Sequence, residues 1–261
     1  MSTPPIANIR IHVDPTNPGQ FFACCGLLEL ANRVSEGAEG WFESGAFCIK
    51  SATSLGELVT AIAAAELVQT DETDATASPI FMEAPFRLRL DWWKMDDPAL
   101  SQLKVWAGTM ESFRIARAMQ HTMQKEIFQT ADLLNLGMVA YDVDDSTKKV
   151  EPFYFDARRG PNAHSRDVGF SPNDLGLTTT AFPAVEFLCL VGLQRCKPLP
   201  TSSPRIYDYY TWTNPLRPLL LPPAVSGHLP STSGYRFESW FRTGQKKHKA
   251  FLTAKPKPIL S

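Results

Sequence analysis

Apolar and polar positions along residues 9–93 switch between a period of two and a period near 3.6, in the order strand, helix, strand, strand, helix, strand. The first strand, Ile9-Arg10-Ile11-His12-Val13, and the last, Phe86-Arg87-Leu88-Arg89-Leu90-Asp91-Trp92, alternate strictly. Alternation puts their apolar side chains on one face and Arg10, His12, Arg87 and Arg89 on the other. This order is that of a ferredoxin-like, RRM-type βαββαβ unit. There the first and last strands are neighbours, so the four side chains should share the sheet face opposite the helices. RRM-type folds often lay single-stranded RNA on that face; an ordinary solvated face is the alternative.

Local signals sharpen the elements. Asn17 is placed to cap a helix that opens at Pro18 and carries Phe21, Cys24, Leu27, Leu28, Leu30, Ala31 and Val34 before Gly37. Trp41-Phe42 and Ala46-Phe47-Cys48-Ile49 read as short strands around Gly45. Ser54-Leu55-Gly56-Glu57 is a capping box for a second helix reaching about Leu67. Gln69 to Pro79 reads as a mobile surface loop.

Thr109 caps the next predicted helix, with Met110, Phe113, Ala116 and Met119 toward the core. Arg114, Arg117, His121 and Lys125 recur on its other side at intervals of three and four, as one stripe. The acidic turn Asp142-Val143-Asp144-Asp145 marks a boundary. The chain therefore reads as α+β: a ferredoxin-like unit over 1–95, a helical segment over 96–145, and a second, degenerate α+β part over 146–261. In that last part Val150–Asp156 predicts a strand and Pro183–Cys196 an enclosed helix. Ile206–Trp212 predicts a tyrosine-rich strand, and Tyr235–Leu252 a hairpin.

A net charge of −1, with 20% charged and 44% hydrophobic residues, excludes a protein coated in basic side chains. Any nucleic-acid contact must be a local patch. The five cysteines include no C-x-x-C pair and sit in apolar surroundings, which points to reduced thiols and away from structural zinc. Met1-Ser2-Thr3-Pro4-Pro5 lacks the basic and apolar regions of a signal peptide, and no apolar run is long enough to span a bilayer. A soluble, cytoplasmic protein is expected, with no cofactor, no metal site and no membrane partner.

Two further groups of cations stand out. The loop from Arg158 and Arg159 through His164 to Arg166 suits bidentate contact with phosphate, or else pairs with Asp156, Asp167 and Asp174 to hold the fold. The C-terminal Lys246, Lys247, His248 and Lys249, with Lys255 and Lys257, are interleaved with Trp240, Phe241 and Phe251, and no acidic residue follows Glu238. Such interleaving suits a groove that tracks a nucleic-acid backbone and stacks its bases; a solvated hairpin is the alternative. Catalytic signatures are scarce: there is no G-x-x-x-x-G-K-[ST], no H-E-x-x-H and no G-x-S-x-G. His12, His121, His164 and His248 suit a metal-independent ribonuclease by residue type alone, so no catalytic residue is assigned.

The run from Val13-Asp14-Pro15-Thr16-Asn17-Pro18-Gly19-Gln20-Phe21-Phe22 through Leu30-Ala31 resembles the opening of a small CRISPR-associated protein family. That family accompanies the backbone subunits of the type I-U (I-G) effector complex, a Cascade variant. Phe155-Asp156-Ala157-Arg158-Arg159-Gly160, Gly169–Asp174, Pro183–Phe187 and Gly192–Arg195 are similar too, so the resemblance touches both halves. It implies antiviral defence, an RRM-related fold, and crRNA or target nucleic acid together with other effector subunits as partners. Related guide-processing ribonucleases carry a glycine-rich loop near the C-terminus. Here Gly227, Gly234 and Gly244 stand isolated, which weighs against processing activity. The expected role is a non-catalytic nucleic-acid-binding subunit; the alternatives are a repeat-processing endoribonuclease and a protein-only bridging subunit.

Overall fold

A helix with no polar face has to be surrounded, and this chain surrounds two. A computed structural model describes residues 6–71, 73–159, 180–242 and 248–257. In it α1 (Pro18–Val34) and α5 (Pro183–Arg195) lie against each other, with residues 18–31 and 183–193 all buried. Glycine sets how closely they approach. A Cβ on Gly26 would lie 2.0 Å from the Leu188 carbonyl oxygen, and one on Gly192 would lie 1.9 Å from that of Phe22. The α1 start is the one its sequence predicts: the Asn17 side chain accepts from the Gly19 and Gln20 amides at 3.1 and 3.5 Å.

Three antiparallel sheets are built around this pair. The first contains β1 (Ile9–His12), β2 (Glu39–Glu43) and β3 (Ala46–Lys50), in the order β1-β3-β2. Its β2–β3 turn runs through Ser44 and Gly45, at φ of 49° and 75°, the positive pair that a type I′ turn needs. Helix α2 (Leu55–Ala64) begins with the expected capping box: the Ser54 amide donates to Glu57 at 2.9 Å and the Glu57 amide to Ser54 Oγ at 3.3 Å. It stops short of Leu67, because β4 (Leu67–Gln69) enters a second sheet with β5 (Ile80–Met82) and β6 (Leu88–Leu90), in the order β4-β5-β6.

The four-stranded ferredoxin-like unit is therefore not assembled as expected. Its β1-β3-β2 order is present, but the last strand pairs with β5 instead of β1. Arg87 adopts φ 46°, which interrupts the alternation read across Phe86–Trp92. The carbonyls of Phe86 and Arg87 accept from Arg33 of α1, at 2.8 and 3.1 Å, instead of joining a ladder. The Gln69–Pro79 stretch is also fastened down: Trp106 and Trp93 donate their indole N–H groups to Thr76 and Ala77 carbonyls, each at 2.8 Å.

Beyond α3 (Pro98–Ser101), helix α4 (Ser112–Thr122) starts just after Glu111, later than Thr109 suggested. Val150–Asp156 forms no strand among the described residues. Tyr154 turns it at φ 75°, and Phe153 and Phe155 enter the core. The third sheet holds β7 (Leu199–Pro200), β8 (Ile206–Thr211), β9 (Ser233–Phe241), β10 (Lys249–Phe251) and β11 (Lys255–Lys257). Its order is β10-β9-β8-β7, with β11 also paired to β9; the proline-rich α6 (Leu221–Val225) lies between β8 and β9. Buried apolar side chains from Ile9 to Ala254 form one continuous cluster, so all three expected segments contribute to a shared core. No helix among the described residues is long and apolar enough to cross a membrane.

Gly192→Ala should destabilise the protein by about 3 kcal/mol or more, because the obstacle is a backbone carbonyl that cannot rotate away. Urea denaturation measures this directly; a change within experimental error would show that the helices separate freely.

Candidate nucleic-acid interface

Several of the described cations singled out in the sequence are already ion-paired. Arg10 bridges to Glu43 at 2.8 Å, and Arg89 to Asp91 at 2.6 Å on a different sheet. His12 Nδ1 lies 2.7 Å from Asp132. The expected gathering of Arg10, His12, Arg87 and Arg89 on one face is thus not seen; Arg87 sits just outside β6 at its strained φ. On α4, Arg114 donates to Asp142 at 2.5 Å and Arg117 forks onto Asp144 at 2.8 and 3.2 Å. The acidic turn read as a boundary thus folds over the basic stripe.

Arg158 is a fastening. Its guanidinium bridges to buried Asp156 at 2.6 Å, donates to the Leu134 carbonyl at 2.7 Å and stacks 3.4 Å from the Phe182 ring centre. Lys257 shares buried Asp208 with Arg236. His164, Arg166, Lys246 and Lys247 lie outside the described residues.

Another set of cations makes no ion pair within 4 Å among the described residues, and these converge where β9 meets β10. Arg205 lies 4.9 Å from the Phe241 ring centre and 5.4 Å from that of Trp240. Lys249, the β-partner of Phe241, donates to the Gln102 carbonyl. Arg242, next in the chain, stacks 3.6 Å over Tyr154, and Arg159 approaches the same ring at 5.9 Å. Lys104 lies over Trp106 at 5.3 Å. The Nε atoms of Arg159, Arg205 and Arg242 are buried with no hydrogen-bond partner, as is Gln102 Oε1. A buried N–H left unbonded costs roughly 1–3 kcal/mol, and no partner among the described residues offsets that cost at these three Nε atoms.

The electrostatics agree with that geometry. Burial, together with the nearby charges of Arg205 and Lys104, pushes the Lys249 ammonium down to about 8. Burial likewise lowers Lys104, against the attraction of Asp74, and lowers Arg242, against Tyr154, Glu151 and Glu186. Burial is the largest cause at all three groups, and neighbouring positive charge adds to it at Lys249 and Lys104.

Of these side chains the sequence pointed to Arg159 and Lys249. Arg242 closed a predicted hairpin strand without being singled out. Arg205 follows Ser203-Pro204 at φ 62° and Lys104 precedes a buried tryptophan, so neither carried a signal. No family model matches this chain, and neither does any curated protein or solved structure.

Lys249 is charged below about pH 8 and loses its proton above it, where an ordinary lysine would stay charged to about 10.4. Affinity for a phosphate polyanion should therefore fall as pH rises from 7 to 9. Lys249→Arg, which keeps its charge, should flatten that fall in a titration of heparin or RNA. Identical pH profiles for the two proteins would contradict the assignment.

Proposed function

We propose that this protein is a non-catalytic nucleic-acid-binding subunit of a CRISPR-Cas effector ribonucleoprotein in antiviral defence. Its partners in that role are crRNA or target nucleic acid and the other effector subunits. The observation that carries the nucleic-acid part is the convergence of Lys104, Arg159, Arg205, Arg242 and Lys249 on one region with no salt-bridged carboxylate among the described residues, three of them with a buried unbonded Nε. Guanidinium forks and lysines at such a place suit successive phosphates. The effector-complex part is supported by the resemblance carried by Val13–Ala31 and the later matching stretches. In such assemblies base pairing reads sequence while protein grips the backbone. An RRM-type first half remains part of the proposal through its β1-β3-β2 order and the two helices that follow β1 and β3.

Binding of repeat-derived RNA to the purified chain, and to the assembled complex, should weaken steeply with salt. Each lost phosphate contact lowers the slope of log K against log salt by about 0.7 to 0.9. The triple variant Arg159→Gln, Arg205→Gln, Arg242→Gln should therefore flatten the slope by about 2 while its circular dichroism stays native. Arg114→Gln with Arg117→Gln should leave affinity and slope unchanged, since those side chains are spent on Asp142 and Asp144. No association with RNA, or a slope that the triple variant does not move, would remove the proposal.

A further inference from the structure

The cationic region adjoins a recess of about 260 Å³ lined by Pro98, Ala99, Gln102, Ser202, Arg205 and Tyr207, with others of the 200–207 turn. Arg205 belongs to both. Its carbonyl accepts from the Ser239 amide at 2.9 Å, which seats the 200–207 turn against β9. Trp240, on the same strand, is 38% exposed, an unusual position for a ring that size. The recess wall also carries the unbonded Gln102 Oε1, and the carbonyl of the same residue is held by Lys249. Gln102 and Arg205 thus line the recess; beside it Lys249 holds the Gln102 carbonyl and Trp240 lies against the Arg205 guanidinium, with its ring centre 5.4 Å away.

We infer that this recess and the side chains beside it hold a single-stranded nucleic acid, with a phosphate on Arg205 and Lys249 and a base stacked on the exposed part of Trp240. The inference rests on the nucleic-acid reading above and narrows it. At about 260 Å³ the recess falls below the roughly 300–1,000 Å³ of small-molecule pockets, so it suits one group of a longer strand rather than a whole free ligand. A double helix cannot enter it, and its bases are stacked on one another and closed to an indole. A flexible strand can turn a phosphate inward to cations as buried as these and splay a base outward. Gln102 Oε1 can accept from the exocyclic amine or imino N–H of a base, or from a 2′-hydroxyl. RNA and DNA strands share the phosphate and the stacking face, and they differ at that hydroxyl.

The test is fluorescence anisotropy of the full chain with labelled 12-mers: single-stranded RNA, single-stranded DNA, their blunt duplexes, and an abasic strand of equal length. Both single strands should bind about ten-fold or more tightly than either duplex or the abasic strand. Trp240→Ala should weaken single-strand binding by about ten-fold without changing the salt slope, and Trp240→Phe should restore much of it. Arg205→Gln should reduce affinity and slope together. A preference for RNA that is lost in Gln102→Ala would locate the 2′-hydroxyl contact. Equal binding of duplex and single strand, or no effect of Trp240→Ala, would overturn this inference and leave the broader reading standing. Failure of every oligonucleotide to bind at low salt would remove both.

Discussion

The close approach of α1 to α5 is the constraint on which the other parts depend. Gly26 and Gly192 face the opposite helix's backbone at distances that no side chain tolerates, so the two axes are fixed relative to each other. Each end of the contact is then secured by charge. Near one end, buried Glu29 of α1 accepts from Arg33 at 2.7 Å and from Arg195 of α5 at 2.5 Å. Burial alone would raise that carboxyl, but the two guanidiniums outweigh it and hold it below its ordinary range. Near the other, Glu186 of α5 accepts from the Phe155 and Asp156 amides, and Asp156 accepts from Asn17, the cap of α1. Glu186 is pushed up to about 7 by burial and by the neighbouring Asp156, so it gives up a proton reluctantly near neutral pH.

That framework explains how a chain of net charge −1 distributes its arginines. The buried carboxylates Glu29, Asp156 and Asp208 each need cations, and Arg33, Arg195, Arg158, Arg236 and Lys257 serve them. Removing one partner from a buried pair leaves an uncompensated charge, which is costly. On the surface, Arg10, Arg89, Arg114 and Arg117 lie in weaker exposed or half-exposed pairs. Described cations outside these pairs include Arg87, Lys125, Lys197 and Lys255 as well as the group near β9 and β10. The cations around Tyr154, Phe241 and Gln102 lie against aromatic rings or a carbonyl, with Glu151 and Glu186 attracting Arg242 from beyond ion-pair distance.

Local chemistry was legible in the residues, and long-range pairing was not. The Asn17 cap, the Ser54–Glu57 box, the Ser44-Gly45 turn and the enclosed α5 depend on neighbours in sequence, and each stands where its residues place it. The partner of a strand is not a local property. Leu88–Leu90 alternates equally well beside β1 or β5, and the backbone at Arg87, together with the Arg33 cap, decides for β5. The same limit applies to charge. Spacing placed Arg114 and Arg117 on one helix face correctly, but nothing local says that the turn at Asp142–Asp145 returns to cover them. Arg205 and Lys104 reach Lys249 through tertiary contacts from two loops, so no window of sequence contains the cluster.

The remaining question is why a fold would keep three guanidiniums stacked on rings with an Nε unbonded. Stacking on an aromatic face contributes roughly 0.5–2 kcal/mol, which offsets part of the roughly 1–3 kcal/mol that an unbonded buried N–H costs. A purely structural arginine would do better beside a carboxylate, as Arg158 does beside Asp156. The arrangement at Arg159, Arg205 and Arg242 sets the planar forks against ring faces and leaves each Nε without a hydrogen bond, while Arg242 Nη2 donates to Met110 Sδ at 3.4 Å. An anion reaching the accessible ends of these half-buried side chains would meet groups whose rotamer freedom is already restricted, and part of the ordering cost of binding is thereby met in folding. A salt-bridged arginine would first have to be released from its carboxylate. That difference, more than the number of positive charges, separates this region from the paired cations elsewhere on the protein.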